Sequence, residues 1–543
     1  MVKINMFGTG FTLQAAIWAA CGMAFILFGY DQGVFSGIVE NEDFLNTMHH
    51  PGDSLMGIIV SIYNLGCFTG CIFNFVVAEW LGRRRAMWVA MTWIIIGASL
   101  QTSAFSVAHL MVGRFVTGIG TGIETSTVPM YQAELCEASK RGKLVCSEPL
   151  LVGVGIVISY FFDYGMSFVG GQIAWRLPIA CQLIFAFVVI ILVFGLPESP
   201  RYCYKEQRND EALQILSDVN GLPKDDPKIV AEQKEILEAL ELETKHGGYK
   251  WRNIFKRDEV STGHRVLLAY GMQFMNQVGG INLVVYGVLA KLLSRPVTDK
   301  DRSYFIPTVL NSNVGLSKNL SLIIGGCVQI MFVIGSFFPT FFVDRVGRRV
   351  PMMWGSFGLG LCMMMVSILL SFKGKANEHA TSSASVAFFF LYMLIFGASV
   401  NCIPWVYVPE ILPLHARAKG TAVGISSNWI WNFFVVMITP IIINRLQWKA
   451  YLIFMCTNFA FVPLVYFCYP ETANLTLEEI DYLFTNPQKT AVKISNELHK
   501  EGKRHGHTSL AHINARGRDR SVIEDTQEKA PAIQAPGEHL ENV

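Results

Sequence analysis

The stretch AEWLGRRR, residues 78–85, follows a long apolar run, and the stretch VDRVGRRV, residues 343–350, follows another. In both stretches an acidic residue precedes Gly-Arg-Arg, with two residues between them. A second pair also repeats, because VPMYQAELCEASKRGK at 128–143 and VPEILPLHARAKG at 408–420 each place a glutamate seven residues before an arginine. This spacing indicates that the chain contains two copies of one structural unit.

Long apolar runs separate these stretches and decide the class of fold. The chain has 543 residues, of which 52% are hydrophobic and only 16% are charged, whereas soluble proteins carry about 25% charged residues. The apolar residues form blocks of about 20 residues, which is the length that crosses a bilayer. We predict an all-α membrane protein with twelve transmembrane helices in two six-helix halves. The predicted spans are 15–38, 55–77, 86–105, 109–131, 145–165, 177–196, 265–286, 319–342, 351–372, 386–408, 421–443 and 450–469.

The basic residues of the short loops predict the orientation of the chain. The loops at 82–87, 139–143, 347–350 and 417–419 are basic and fall on one side of the membrane, whereas the first opposite loop, 40–53, has no lysine or arginine. Cytoplasmic loops are enriched in these residues, so both termini are predicted to be cytosolic. The predicted organisation is a cytosolic N-terminus at 1–14, an N-terminal half at 15–196, a cytosolic helical linker at 197–264, a C-terminal half at 265–469 and a largely disordered cytosolic tail at 470–543.

Charge and cysteine content argue against several classes of function. The formal net charge is +2, which gives no indication of a nucleic-acid partner. The 12 cysteines contain no CxxC pair, so neither a zinc site nor a disulfide framework is indicated. The scattered histidines and cysteines form no pattern typical of a nucleophile or a metal site. We therefore expect no enzymatic activity, no metal and no cofactor.

A duplicated six-span unit is typical of transporters whose halves rock about a central site. Several short motifs occur in order along 15–485, namely GYDQGV (29–34), GRRR (82–85), GRF (113–115), PESPR (197–201), NQVGGIN (276–282), DRVGRR (344–349), PWVYVPEILP (404–413) and PETANLTLEEID (470–481). In these motifs the chain resembles the sugar porter family of the major facilitator superfamily. FFDYG at 161–165 and AWRLPIACQ at 174–182 most resemble its fungal branch, which transports hexoses, disaccharides, polyols and glycerol.

Asp31 is the only acidic or basic side chain between Ala15 and Val39. Ionisable residues inside a membrane are costly and are usually functional. The resemblance implies that Asp31 pairs with Arg114 of the fourth span and couples proton movement to sugar movement, whereas the alternative is a static ion pair between two helices. Glu124, ten residues after Arg114, is either a second protonation site or a neutral hydrogen-bonding group.

Amide side chains cluster in the seventh predicted span. Gln273, Asn276 and Gln277 are spaced i, i+3 and i+4, which places them on one helix face. Sugar hydroxyls need polar partners and sugar rings need flat apolar surfaces, so this face is a candidate sugar site, unless the amides only join helices. The predicted substrate-binding residues are Gln273, Asn276, Gln277, Asn282, Trp405, Asn428 and Asn432. Four of these occupy positions for which the resemblance implies substrate contact, namely Gln277, Asn282, Trp405 and Asn428.

Two positions depart from the family pattern. The fifth span of the family often carries a sugar-binding glutamine where this chain has Pro149, next to Glu148. In the tenth span, Asn401 and Cys402 stand where the family usually has Gly-Pro. Because proline has no hydrogen-bonding side chain, fewer sugar hydroxyls are expected to be recognised on that wall.

Charged residues gather at the predicted cytosolic ends of the spans. The resemblance implies that they latch the two halves together when the carrier opens outward. Exposed ion pairs contribute little individually, so a latch needs a network; the alternative is that the arginines only orient the chain in the membrane. The predicted network consists of Glu79, Arg83, Arg84, Glu134, Arg141, Glu198, Arg201, Asp344, Arg348, Arg349, Glu410, Arg417 and Glu471.

Residues 287–304 interrupt the family pattern in the outer half of the seventh span. This segment carries six charged residues, each of which costs a few kcal/mol at membrane depth, and its deletion restores the register of the family. We predict an anomalous insertion, which is either an unspliced intron translated into the sequence or a genuine extracellular loop. Sequencing of the transcript distinguishes the two.

These observations predict a multi-pass carrier of the plasma membrane that moves a hexose or related sugar inward together with a proton. Its partners are the sugar or polyol, protons and the lipid bilayer. The alternatives are a proton symporter of polyols or glycerol, a passive sugar facilitator and a sugar sensor that does not transport. Sensors of this fold tend to have very long cytosolic tails, and the tail here is short.

Overall fold

The structure is a computed structural model, and it describes residues 6–39, 41–136, 138–245, 258, 260–287, 318–372, 378–413, 416–473, 475, 477–485 and 489–505. These residues form helices joined by short loops, with no β-strand among them. The predicted insertion at 287–304 lies outside the described residues apart from Gly287. The all-α prediction is confirmed.

Eight helices form the N-terminal half, and three further helices follow it. The first eight are α1 (Phe11–Gly33), α2 (Phe35–Ile38), α3 (Glu42–Thr47), α4 (Asp53–Leu81), α5 (Arg83–Thr102), α6 (Val107–Leu135), α7 (Ala138–Met166) and α8 (Ile173–Phe194). The next three are α9 (Pro200–Lys205), α10 (Asn209–Asn220) and α11 (Pro227–Lys245).

The C-terminal half and the segment after it are helical as well. The helices of the half are α12 (Thr262–Val278), α13 (Ile281–Gly287), α14 (Lys318–Val346), α15 (Arg349–Ser371), α16 (Glu378–Ala398), α17 (Ile403–Ile411), α18 (Arg417–Leu446) and α19 (Ala450–Cys468), with a 3₁₀ turn at Gln447–Lys449. Two further helices are α20 (Leu477–Thr485) and α21 (Ala491–His505).

Every predicted span coincides with helix. In the described part of the chain, nine helical segments are long and apolar enough to cross a membrane. The other three predicted spans fall on α5, on α6 and on α12 with α13. Polar residues explain the difference, because α5 begins with three arginines, α6 carries Arg114 and Glu124, and α12 carries the three amides that the sequence singled out.

Two predicted spans are broken into pairs of helices. The seventh breaks between α12 and α13 at Gly280, whose φ of 99° suits a residue without a side chain. The carbonyl of Gly279 at this break accepts hydrogen bonds from Asn458 Nδ2 at 2.6 Å and Tyr392 Oη at 3.2 Å. The tenth span breaks between α16 and α17. Discontinuous helices of this kind often form binding sites in transporters.

Small residues allow helices of the N-terminal half to approach closely. A Cβ atom added to Gly29 of α1 would lie 2.0 Å from the carbonyl oxygen of Val152, and one added to Gly155 of α7 would lie 2.1 Å from that of Ile26. Membrane helices gain little from the hydrophobic effect between them, so close packing at small residues supplies much of the attraction. This contact fixes α1, which carries Asp31, against α7.

The two halves meet along two helix pairs. Helix α4 packs against α18, and α7 packs against α14. On the outer surface, Ile184, Phe341 and Trp354 expose 62%, 60% and 69% of their area. Exposed apolar surface of this extent marks an interaction surface, and for helices that can cross a membrane that surface is lipid. The halves therefore enclose a central region that is shielded from lipid.

Candidate functional site

A cavity lies between the two halves, with a volume of about 850 Å³ that includes the part open to solvent. Helices α1 and α7 form its wall in the N-terminal half, and helices of the C-terminal half form the opposite wall. Its lining residues are Phe25, Phe28, Gln32, Glu148, Pro149, Val152, Ile156, Asn276, Gln277, Ile281, Asn282, Val285, Gln329, Phe332, Met393, Phe396, Asn401, Trp405, Asn428 and Asn432. This combination of aromatic surface and a few polar groups is typical of small-molecule sites.

Most of the predicted substrate-binding residues lie at this cavity. The six that line it are Asn276, Gln277, Asn282, Trp405, Asn428 and Asn432. The seventh, Gln273, is fully buried and does not line the cavity. Both polar atoms of its amide lack a hydrogen-bond partner within the described part of the chain. Substrate contact by Gln273 therefore has no support in this arrangement.

Gln277 is the centre of a chain of amides in the C-terminal wall. Asn282 Nδ2 donates to Gln277 Oε1 at 2.8 Å, and Gln277 Nε2 donates to Asn428 Oδ1 at 2.7 Å. Gln277 Nε2 also donates to Asn276 Oδ1 at 3.1 Å. Asn276 Nδ2 in turn donates to the carbonyl of Val400 at 3.1 Å. Because each amide is held by its neighbours, the wall presents a fixed pattern of donors and acceptors.

Asn432 both lines the cavity and joins two helices, which are the two roles that the sequence analysis considered for the amides. It lines the cavity, and its Oδ1 accepts a hydrogen bond from Asn64 Nδ2 of α4 at 3.0 Å. Asn64 belongs to the N-terminal half and Asn432 to the C-terminal half. This bond therefore joins the two halves inside the membrane, where interhelical amide bonds of this kind stabilise association.

Two glutamines at the cavity were missed by the sequence analysis. Gln32 follows Asp31 directly, and Gln329 is a single amide inside the apolar run of α14. Gln329 is fully buried, and both polar atoms of its amide lack hydrogen-bond partners among the described residues. An isolated amide in an apolar span is a signal that could have identified it, because such groups are retained only where they find a partner.

Aromatic rings cover the parts of the cavity that the amides leave open. Phe25 and Phe28 come from α1, whereas Phe332, Phe396 and Trp405 come from the opposite half. Phe332 and Phe396 stack on each other with a distance of 6.0 Å between ring centroids. Flat apolar faces of this kind suit the carbon face of a sugar ring.

Pro149 lines the cavity where the family resemblance led us to expect a glutamine. Its side chain offers neither donor nor acceptor. The neighbouring Glu148 lines the cavity as well and is only 3% exposed. Its Oε1 lacks a hydrogen-bond partner within the described ranges.

Asp31 and Arg114 are both buried, with 1% and 3% of their area exposed. They lie close enough for electrostatic attraction. Arg114 Nη2 donates to the carbonyl of Val60 at 2.9 Å, and its guanidinium lies over the rings of Phe35 and Tyr63, with centroid distances of 3.9 and 4.9 Å. No hydrogen bond of full geometry reaches either carboxylate oxygen of Asp31 in the described part of the structure, although the hydroxyl of Thr121 interacts with this carboxylate.

Glu124 is buried on α6, the helix that carries Arg114, and does not line the cavity. Its carboxylate interacts electrostatically with that of Asp31. Both of its oxygens lack hydrogen-bond partners among the residues that the structure describes. The three predicted proton-coupling residues therefore lie in one region of the N-terminal half, beside the cavity.

The predicted cytosolic charges of the N-terminal half form a compact cluster around Arg83. Arg83 Nε and Nη2 donate to the two carboxylate oxygens of Glu134 at 2.9 and 2.8 Å. Glu198 Oε1 accepts from the backbone N–H groups of Arg83 and Arg84, at 3.0 and 3.2 Å, and so caps α5. Burial raises the pKa of Glu198, although these N–H groups and that of Ser199 oppose the shift.

The C-terminal half repeats this arrangement around Arg348. Arg348 Nε and Nη2 donate to the two oxygens of Glu410 at 3.1 and 2.7 Å. Glu471 accepts from the backbone N–H groups of Arg348 and Arg349 at 2.8 and 2.9 Å. Asp344 Oδ1 accepts a further bond from Arg348 at 3.0 Å. Each of these ion pairs lies within one half.

The other predicted members of the network are placed less centrally. Arg84 donates to the carbonyls of α8 at its C-terminal end, Arg201 is half-buried in α9, and Arg417 Nη2 lies 3.5 Å from the carbonyl of Leu412. The side chains of Glu79 and Arg141 lie outside the described residues.

Comparisons with known proteins identify the family of the chain. A family model described as "Sugar (and other) transporter" matches residues 15–288 and 301–484. The interruption of this match falls inside the predicted insertion at 287–304. The chain is 40% identical over 492 residues to the MFS-type transporter oryC of Aspergillus oryzae, covering 89% of this chain and 88% of that protein.

Further similarity comes from yeast and from a solved structure. The chain is 31% identical over 509 residues to the sugar transporter STL1 of Saccharomyces cerevisiae, covering 91% of this chain and 85% of that protein. The solved structure of the proton:xylose symporter XylE bound to 6-bromo-6-deoxy-D-glucose matches with a TM-score of 0.72 and 22% identity, covering 87% of this chain and 99% of XylE. That likeness confirms the major facilitator fold. The chain therefore belongs to the sugar (and other) transporter family, whose members are multi-pass membrane transporters rather than enzymes.

Proposed function

We propose that the protein is a plasma-membrane symporter that moves a hexose or related sugar inward with a proton by alternating access. The observation that carries this proposal is the cavity between the halves, with its chain of amides around Gln277 and its aromatic rings. The named function of STL1, a sugar transporter, supports the substrate class.

The polar atoms that remain without partners describe the ligand. Within the described residues, Gln329, Asn401 Nδ2 and Glu148 Oε1 lack hydrogen bonds, and all three side chains line the cavity. Buried polar groups are rarely left unsatisfied. A sugar satisfies donors and acceptors together, since each hydroxyl both donates and accepts. Its carbon face packs on rings such as that of Trp405.

The proposed coupling rests on Asp31 and Arg114. An ionised carboxylate is costly to bury without strong hydrogen bonds, and among the described residues only the attraction of Arg114 and the hydroxyl of Thr121 offset that cost at Asp31. We propose that Asp31 carries its proton in this arrangement, while Arg114 is held by carbonyls of α4. Release of the proton would leave a carboxylate that attracts Arg114 and shifts α1 relative to α6. Binding of proton and sugar would thereby favour the same conformation, which is the requirement for symport.

A polyol or glycerol symporter is the second candidate, and Pro149 is the observation that favours it. Proline at the cavity wall removes one hydrogen-bonding side chain, so the site recognises fewer hydroxyls than one with an amide there. A smaller or more flexible ligand needs fewer such contacts.

Uptake by a yeast strain that lacks its own sugar carriers tests both candidates. The full chain is expressed, and the uptake of labelled hexoses, pentoses, disaccharides, glycerol and quinate is measured together with the pH of the medium. Uptake of a hexose with alkalinisation of the medium supports the proposal, and uptake of glycerol alone supports the second candidate. Uptake without alkalinisation indicates a facilitator. An absence of uptake despite normal surface expression contradicts transport and favours a sensor.

The proposed orientation has a test of its own. Both termini are proposed to be cytosolic because the basic loops fall on one side. An epitope tag at either end should be reached by antibody only after the plasma membrane of the yeast is permeabilised. Labelling of intact cells would contradict the orientation.

A further inference from the structure

Buried carboxylates in the spans of the N-terminal half have different surroundings. Asp31 interacts electrostatically with Arg114, and Asp163 Oδ2 accepts a hydrogen bond from the backbone N–H of Gly37 at 3.1 Å. Glu124 lies away from the cavity. Glu148 is the only carboxylate among the described residues that line the cavity. Its role is therefore not explained by ion pairing or by helix contacts.

Among the described residues, no cationic side chain is found to offset the charge of Glu148. The titratable groups that interact with it electrostatically are the thiols of Cys21 on α1, Cys146 on α7 and Cys402 beside α17. Glu148 is 3% exposed, and its Oε1 has no hydrogen-bond partner in the described ranges. A buried polar atom without a partner costs about 1–3 kcal/mol, and more when it is charged. A ligand in the cavity is the available source of partners.

The opposite wall indicates the chemistry of that ligand. Gln329 and Asn401 Nδ2 carry unpaired amide N–H groups into the same cavity, and these donors need acceptors. An ammonium group could satisfy Glu148 but accepts no hydrogen bond. A hydroxyl satisfies both sides, because its O–H donates to the carboxylate while its oxygen accepts from an amide.

Pro149 adds to the evidence that Glu148 binds a hydroxyl group of the ligand. With proline beside Glu148, α7 offers the cavity an acceptor at this point rather than the amide that the family resemblance led us to expect. Hydrogen bonds to an ionised carboxylate are about twice as strong as neutral ones, and its two oxygens can accept from two adjacent hydroxyls. At this part of the wall the carboxylate therefore favours hydroxyl groups that donate, whereas Gln32 on α1 is the amide of the same wall.

We propose that Glu148 is a specificity-determining substrate residue, whose carboxylate accepts hydrogen bonds from hydroxyls of a neutral polyhydroxylated ligand. This inference rests on the proposed function and deepens it. It assigns ligand recognition to the N-terminal wall, which carries none of the predicted substrate residues.

The test uses the purified full chain in lipid nanodiscs and measures dissociation constants by calorimetry. The probes are D-glucose, D-xylose and glycerol, together with the 1-, 2-, 3- and 6-deoxy analogues of D-glucose and with D-glucosamine. The variants are Glu148→Gln and Glu148→Asp. The matched control is Asp163→Asn, which makes the same change from acid to amide on the same helix but outside the cavity lining. Thermal unfolding without ligand verifies that each variant is folded.

Glu148→Gln is expected to weaken binding of the parent sugar about tenfold or more, and Glu148→Asp to weaken it less. The analogue that lacks the contacted hydroxyl should bind wild type weakly and lose little further affinity in Glu148→Gln. In Asp163→Asn the ranking of the analogues should stay as in wild type.

Three outcomes would overturn the inference. Equal weakening of every analogue by Glu148→Gln, or no weakening, would show that Glu148 contacts no ligand hydroxyl, while the proposed function stands. Glu148-dependent binding of D-glucosamine in preference to D-glucose would show that the carboxylate selects a cation. Failure of wild type to bind any neutral probe would contradict the proposed function itself, and with it this inference.

Discussion

The two halves are alike at their cytosolic ends and different at the cavity. At the ends, each half has a bidentate ion pair between an arginine and a glutamate, namely Arg83 with Glu134 and Arg348 with Glu410. The glycines before the capped helices, Gly82 and Gly347, have φ of 82° and 90°. A β-carbon at either would lie within 3 Å of the glutamate that caps the helix. These clusters brace helix ends within each half.

At the cavity the halves contribute different chemistry. The C-terminal wall carries amides, whereas Glu148 is the one carboxylate among the described lining residues and belongs to the N-terminal wall. The other buried carboxylates, Asp31, Glu124 and Asp163, do not line the cavity but also belong to the N-terminal half. Among the described residues of α12 to α19, no carboxylate is buried to this degree. The two halves therefore share one scaffold but differ in their buried polar groups. The buried carboxylates lie in the N-terminal half, and most of the amides that line the cavity lie in the C-terminal half.

The largest effect is expected from replacement of the proposed proton-carrying group of the N-terminal half, Asp31. Asp31→Asn should abolish uphill accumulation of the sugar, because an amide cannot exchange a proton with the medium, while exchange of labelled for unlabelled sugar across the membrane can persist. Accumulation ratios in energised yeast cells, compared with exchange in de-energised cells, measure both processes.

Glu124→Gln is the companion variant for this test. If accumulation survives in Asp31→Asn but is lost in Glu124→Gln, coupling belongs to Glu124 and the proposed role of Asp31 is wrong. If both variants accumulate sugar, the assignment of charge-dependent coupling to the N-terminal half fails.

The next effect concerns the amides of the C-terminal wall. Gln277→Ala removes the hydrogen bonds that Gln277 makes with Asn276 Oδ1, Asn428 Oδ1 and Asn282 Nδ2, whereas Asn276 Nδ2 keeps its bond to the carbonyl of Val400. The apparent KM for uptake should rise about tenfold, corresponding to about 1.4 kcal/mol, while accumulation at saturating sugar stays coupled. Uptake kinetics against sugar concentration measure the change. A loss of coupling with an unchanged KM would contradict the proposal that the C-terminal amides bind the sugar and the N-terminal carboxylates couple the proton.

The repeated unit and the helices were predictable from local sequence. The spacing of Gly-Arg-Arg after an acid and the length of the apolar runs indicated two six-helix halves, and helices occur at each predicted span. The shared face of the amides of α12 was predictable in the same way, because Gln273, Asn276 and Gln277 are spaced i, i+3 and i+4.

Contacts between distant helices were not predictable from spacing. Gln329 faces the cavity because α14 packs against α7, and Gln273 lies away from it although it shares a helix face with Asn276. The breaks at Gly280 and before Ile403 also depend on partners elsewhere in the chain, such as Asn458, whose Nδ2 donates to the carbonyl of Gly279. A helical wheel does not contain this information.

A smaller effect, on stability, should follow from loss of the arginine–glutamate pairs at the cytosolic ends. The loss of stability should be equal in the two halves. Arg83→Ala and Arg348→Ala each remove the two hydrogen bonds that an arginine donates to a partly buried glutamate, at a cost of about 1–3 kcal/mol of folding free energy. Both variants should lower the midpoint of thermal unfolding in nanodiscs by similar amounts. Lysine variants at the same positions are the controls, because lysine keeps the positive charge but cannot form the bidentate hydrogen bonds of arginine. A shift confined to one half would show that the clusters are equivalent in geometry only.

The smallest effect is expected at Gln273, on the helix that carries the amides. Its side chain is fully buried, it does not line the cavity, and both of its polar atoms lack hydrogen-bond partners among the described residues. Replacement of such a group by an apolar one of similar volume is nearly neutral or stabilising, so Gln273→Met should keep the KM for uptake within about twofold of wild type. Uptake kinetics beside Gln277→Ala make the comparison. A rise in KM as large as that of Gln277→Ala would mean that Gln273 reaches the sugar in another conformation, and that the amide wall extends further along α12 than this cavity shows.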